Sequence, residues 1–192
     1  AVPPSMKRRV LHAPLSHQAL CVQLGLANIV QAPAHSVNHV PLLEEQYRLL
    51  APQPAGIEWL SYTVPTSTMP ELASAGGSIV EMFTAVDQTL ALGACDAEAK
   101  EAAADEAIAA IARHHPLDIA VRRITSPKDY ATRMNLFEGA VYGLSPVAKP
   151  GQQFPQAPPV TGLFLAGQTT YPGFGVAPAM FSGIFAADAL IG

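Results

Sequence analysis

Charged side chains are scarce in this 192-residue chain: Asp, Glu, Lys and Arg make up 14% of it, against 49% apolar residues. Soluble domains ordinarily carry roughly 25% charged residues. The shortfall predicts that some apolar surface is covered by a partner, by further polypeptide, by a lipid-like substrate or by a membrane surface. The net charge of −4 excludes a basic nucleic-acid footprint. Two cysteines, Cys21 and Cys95, with no CxxC pair, build no disulfide framework and read as buried, reduced thiols. Long apolar runs are missing too, since a membrane-spanning helix needs roughly 18–20 uninterrupted apolar residues. The longest candidate, Val176 to Ile191, is broken by Pro178, Ser182, Gly183 and Asp188. The basic triplet Lys7-Arg8-Arg9 precedes no apolar stretch and so forms no secretory signal. The chain opens on Ala1 without an initiator methionine, which predicts processing or truncation at that point. No GxSxG or Ser/His/Asp order supports hydrolase chemistry, and no internal repeat is visible.

What is present reads as alternating strands and two good helices. Leu20, Val22, Leu24 and Leu26 alternate within residues 17–26, as a strand with one buried face requires. Residues 34–40 read as extended, with His35, Val37 and His39 on one side. Residues 57–64 and 78–86 form two more strands, separated by a Ser-, Pro- and Gly-rich loop that makes them neighbours in an antiparallel or mixed sheet. Asp96 to His115 is the best helix. Asp96 is a natural N-cap, Glu98 and Glu101 suit the positive end of the dipole, and Pro116 stops the helix. A short strand over 118–124 and a turn or helix start at Ser126-Pro127-Lys128-Asp129 follow. Residues 149–159 form a proline-rich connector. The run Val160 to Ala166 predicts a strand buried on both faces, and 175–190 predicts a closing helix.

The chemistry-bearing stretch is residues 160–192, a strand, a Gly-rich turn and a helix. That order puts free backbone N–H groups and a positive helix end beside the end of a strand. Gly167, Gly173 and Gly175 allow close backbone approach, and Pro178 falls in the first turn, where a missing N–H costs least. Gly175, Ala179, Gly183 and Ala187 recur every fourth residue, a small-residue stripe suited to close packing. His35 and His39 have metal-ligand spacing only on a helix, so they read as structural, and no metal site is expected. His114 and His115 read as a helix end, and Arg122 and Arg123 as solvated or ion-paired.

These residues resemble the closing motif of the phytoene desaturases, carotenoid isomerases and retinol-saturase-like FAD-dependent oxidoreductases. The matching residues are Gly167-Gln168-Thr169-Thr170, Pro172-Gly173-Phe174-Gly175-Val176, Ser182-Gly183 and Ala186-Ala187. Upstream, Ser126-Pro127-Lys128-Asp129-Tyr130 and the Gly139 to Gly143 segment are similar to further family segments. The resemblance implies an α/β (α+β) fragment: the carboxyl-terminal half of such an enzyme. Residues 1–125 would supply a mixed-sheet substrate domain, 126–159 a connector, and 160–192 the final strand, turn and helix of a doubly wound FAD-binding domain.

The resemblance further implies FAD contacts from Gly167, Gln168, Thr169, Pro172, Gly173, Gly175, Val176 and Ala177, with Gln168 standing where relatives often have an acid. It places Arg133, Tyr142 and Gly143 near the flavin and substrate channel; no catalytic residue is assigned. The implied reaction is desaturation, saturation or isomerisation of an apolar, isoprenoid or polyene substrate. A dinucleotide fingerprint, Gly-x-Gly-x-x-Gly, is absent: the GxG at Gly173 and Gly175 lacks a third glycine at the required spacing. An amino-terminal half carrying that fingerprint is therefore the expected partner, either in the same polypeptide or as a second chain of a heteromer. The expected location is cytoplasmic, with peripheral membrane contact allowed. Two alternatives stand: a non-catalytic subunit or lipid- or partner-binding module on a flavoprotein-like scaffold, and a flavin amine oxidase.

Overall fold

The computed structural model describes residues 2–38, 60–86, 92, 96–145 and 151–192. Expectations for His39, for residues 57–59, for Cys95 and for the first part of the proline-rich connector lie outside the described residues. The chain folds into two compact units, residues 18–139 and residues 1–17 with 140–192. Its class is α+β: helices with one antiparallel sheet.

Unit 18–139 is built on that sheet. Its strands are β1 (Gln18–Leu26), β2 (His35–Asn38), β3 (Leu60–Thr63), β4 (Ser78–Val86) and β5 (Ile119–Thr125), in the spatial order β2-β3-β4-β1-β5. All described pairings are antiparallel, so the sheet expected to be mixed is antiparallel. The alternation read from the sequence sets the register, because the side-chain period of two keeps one parity on one face. Leu20, Val22, Leu24 and Leu26 of β1 lie in one buried cluster with Val80 and Met82 of β4, Leu60 and Tyr62 of β3, and Ile124 of β5.

The helix α2 (Ala97–Ala112) seals that face. Asp96 caps it through its Oδ1, which accepts from the Ala99 amide at 2.8 Å. Ala104, Ala107 and Ile111 are fully buried against the sheet, and small residues let the helix axis sit close to the strands. Burying a side chain such as Ile111 stabilises the unit by roughly 1.5–3 kcal/mol. At the helix end His115 Nε2 lies 2.9 Å from the Tyr62 hydroxyl, so this histidine ties the helix end to β3. Arg122 reaches back over α2 to Asp105 at 2.6 Å and Glu101 at 2.9 Å. After β5 the helix α3 (Pro127–Arg133) starts with a full capping box: Ser126 accepts from the Asp129 amide, and the Asp129 side chain accepts from the Ser126 amide. Gly77 is required where it stands, since a Cβ there would lie 2.7 Å from the Leu26 carbonyl oxygen.

Unit 1–17 with 140–192 contains α1 (Pro4–Leu11) and α4 (Val176–Ile191) and no sheet among its described residues. Helix α1 is basic, buries none of its residues and holds on through Arg9, whose guanidinium donates to the Gly151 carbonyl at 2.7 Å and sits 5.3 Å from the Phe154 ring centroid. The strand expected over 160–166 does not form. That stretch is irregular and exposed or half-buried, tied by Leu165 N–H to the Gln156 carbonyl at 2.8 Å. A strand is defined by its pairing, and none of the described residues offers it a neighbour. Nor does the small-residue stripe of α4 pack closely at Gly183 among the described residues: a Cβ there would meet nothing within 4 Å. Among the described residues no helix is long and apolar enough to cross a membrane.

Candidate functional site: the turn into the closing helix

The glycine-rich turn is held by short-range hydrogen bonds within its own unit. The Gly167 amide donates to Ser182 Oγ at 2.7 Å, and Ser182, fully buried, donates on to the Ala179 carbonyl. Thr170 is buried and returns both its amide and its hydroxyl to the Gly167 carbonyl, at 3.1 and 2.8 Å. Gly167, Gly173 and Gly175 have φ of 123°, 125° and 96°, a region that side chains rarely adopt. The Tyr171–Pro172 peptide is cis.

The connector clamps this turn. Gln153 Nε2 donates to the Pro172 carbonyl at 3.2 Å, Gln156 Nε2 donates to the Tyr171 carbonyl, and the Phe154 amide donates to the Thr169 carbonyl at 2.9 Å. Neither glutamine stood out in the sequence. Their only signal was that they are two of three glutamines in a proline-rich stretch.

Helix α4 then starts at Gly175 with no side-chain cap. Its first intrahelical bond from a following amide runs from Ala179 to the Gly175 carbonyl at 3.0 Å. The Val176 and Ala177 amides therefore lie among the donors that a helix start leaves without intrahelical partners. Val176 is 81% exposed. The helix that follows displays Met180, Phe181, Ile184, Phe185, Leu190 and Ile191 to solvent, and buries only Ser182 and Ala186.

Tyr142 and Gly143 join this same turn. The Tyr142 ring lies 4.9 Å from Phe174, centroid to centroid, and 5.3 Å edge-on from His17. Gly143, at φ 70°, sits so close to the turn that a Cβ would fall 2.5 Å from Thr169 Cγ2 and 3.5 Å from Gln168 Cγ. Ser16 locks the segment by accepting from the Tyr142 amide at 2.9 Å and donating its own amide to the Gly143 carbonyl at 2.9 Å. Burial lowers the His17 pKa, which keeps the imidazole neutral against Tyr142. Ser16 and His17 were not singled out in the sequence, because they reach the turn across more than a hundred residues. Arg133 ends α3, exposed, in unit 18–139. Among the described residues no group of three His, Cys, Asp or Glu side chains could hold a metal ion.

No family model matches the sequence, and no curated protein matches it. Among solved structures, the chain is similar to the crystal structure of an oxidoreductase from Methanosarcina mazei, at 13% identity and a TM-score of 0.49. The alignment covers 94% of this chain and 36% of that one, so this chain spans about a third of its neighbour's length.

Proposed function

We propose that the chain is the carboxyl-terminal part of an FAD-dependent oxidoreductase acting on an apolar, isoprenoid or polyene substrate. The carrying observation is the turn at residues 167–177. Uncapped helix amides lie beside glycines at positive φ; a Cβ at Gly167 would meet nothing within 4 Å, and Gly175, Val176 and Ala177 are exposed. Those features fit an electron-rich ring edge and its phosphate tail, which helix amides attract and bulky side chains would exclude. On this reading Gly167, Gln168, Thr169, Pro172, Gly173, Gly175, Val176 and Ala177 hold the cofactor. Ser182, Gln153 and Gln156 fix the backbone of the turn, and Tyr142 and Gly143 shape its flank.

When bound, FAD supplies hydride or electron-pair transfer at its ring. The chain's own residues orient that ring, favour negative charge at its edge through the α4 dipole, and exclude water with the apolar face of α4. Residues 160–192 close the FAD-binding domain in this assignment, and unit 18–139 is the substrate domain.

The partner we propose is polypeptide carrying the dinucleotide fingerprint. Two observations favour it: the apolar run 160–166 has no strand to pair with among the described residues, and α4 leaves most of its apolar surface bare. Anaerobic mixing of the assembled protein with an isoprenoid polyene tests the reading. Bleaching of the flavin absorbance is expected, and a spectrum unchanged by every such substrate and product contradicts it.

A further inference from the structure

The connector over residues 151–159 is poorly equipped to hold itself in place. Pro155, Pro158 and Pro159 bring no N–H, so the carbonyls around them draw on donors from outside. Helix α1 supplies one. Arg9 Nη2 donates to the Gly151 carbonyl at 2.7 Å and to the Gln153 carbonyl at 2.5 Å, and the guanidinium carbon lies 5.3 Å from the Phe154 ring centroid. The rest of α1 adds little. None of its residues is buried, and a cleft of about 140 Å³ is lined by Ser5 and Met6 of the helix with Phe154, Pro155, Pro158 and Pro159 of the connector. Apolar packing between the two is therefore incomplete, and Arg9 is the anchor.

What Arg9 grips is the same stretch that grips the glycine-rich turn. Gln153 is held at both ends: its carbonyl by Arg9, and its side chain by the Pro172 carbonyl, to which Nε2 donates at 3.2 Å. That Nε2 lies 3.1 Å from where a Cβ on Gly173 would stand, so the glycine leaves Gln153 the room to reach. Phe154, beneath the guanidinium, is buried; its amide donates to the Thr169 carbonyl at 2.9 Å, and it pairs with Thr170 in an isolated parallel bridge. By either route a single residue separates Arg9 from the turn, and every group involved belongs to one unit.

We propose that Arg9 is a positioning residue for the turn at 167–177: α1 sets the connector, and the connector sets the turn. A turn with glycines at 167, 173 and 175 has more backbone freedom to lose than any other sequence would give it. An anchor that orders it in advance removes that cost from ligand binding. The relay from Arg9 to the turn stands on the contacts alone; its consequence for FAD rests on the flavin reading.

Hydrogen exchange of the full chain, read by mass spectrometry on peptides covering 152–156 and 167–172, tests the relay without a cofactor. Arg9→Ala is expected to speed exchange in both about three- to tenfold, the scale of one hydrogen-bonded contact, and to leave a peptide from β4 unchanged. Arg9→Lys keeps a charged donor for the two carbonyls and should restore most of the protection. Arg8→Ala, an equal loss of charge on the same helix, should change nothing. In the assembled flavoprotein Arg9→Ala should speed FAD release by a similar factor, followed by the fluorescence of free flavin, and Arg9→Lys should reverse most of it. Exchange unmoved by Arg9→Ala, exchange faster in 152–156 alone, or an equal effect of Arg8→Ala would each overturn the relay. An assembly that binds no FAD overturns the flavin reading, and the exchange result still decides the relay. An assembly that binds FAD, with exchange and release both indifferent to Arg9, overturns the relay alone.

Discussion

Replacing Asp129 should destabilise unit 18–139 by an amount that its contacts allow to be worked out. The carboxylate accepts from the Ser126 amide and hydroxyl, both at 2.9 Å, and pairs with Lys100 at 2.7 Å. Burial alone would raise its pKa; the Lys100 ammonium and the two Ser126 donors outweigh that and hold it at about 2, against an ordinary 3.8. At roughly 1.36 kcal/mol per pKa unit the shift corresponds to about 2.5 kcal/mol. The side chain is 24% exposed, so solvent screening reduces the usable part to about 1–2 kcal/mol.

Asp129→Ala loses that and one arm of the capping box, for a total near 2 kcal/mol; Asp129→Asn, which keeps an acceptor for Ser126, should lose about 1. Urea unfolding at neutral pH measures both. Because the folded pKa lies below the unfolded one, the stabilisation is present above about pH 4 and disappears as pH falls toward 2. The wild-type advantage over Asp129→Asn should therefore shrink across that window. An Asp129→Ala loss under about 0.5 kcal/mol, typical of an unremarkable surface change, would refute the reasoning.

Gly143→Ala should cost about 1–3 kcal/mol, because the residue has φ 70° and its Cβ would meet Thr169 Cγ2; thermal unfolding reads the loss. Ser182→Ala should cost about 1–2 kcal/mol by leaving the Gly167 amide without its partner, and on the flavin reading it should also speed cofactor loss during dialysis. Cys21 is buried, and desolvation with the nearby Glu81 carboxylate pushes its thiol up to about 12. Peptide mapping after alkylation at pH 8 should find Cys21 unmodified in the native protein and modified after unfolding; rapid native labelling would contradict the packing of β1 against β4.

The sheet was legible because its information is local. Alternation at Leu20 to Leu26 gave a strand that the structure places at Gln18–Leu26, and the strand read over 78–86 stands at Ser78–Val86. Asp96 and Ser126 announced their helices, since an N-cap works through amides only three residues away. Helix α1 was not read: it has basic residues but no buried face, and only Pro4 at its first turn marked it. The run 160–166 misled for a different reason. A continuous apolar stretch says that a segment will be covered, while its conformation depends on what covers it. The site divides the same way. Gly173, Gly175 and Pro178 were visible as turn residues, whereas Ser16, His17, Gln153 and Gln156 reach the turn through contacts that leave no sequence pattern.

The visible absorption spectrum tests the central claim most directly, taken on the chain purified alone and together with the polypeptide that carries the dinucleotide fingerprint. The account predicts the yellow bands of oxidised flavin in the assembly, with FAD released on denaturation, and their loss from the chain alone. A colourless assembly at full occupancy of both parts, with α4 folded, would contradict it.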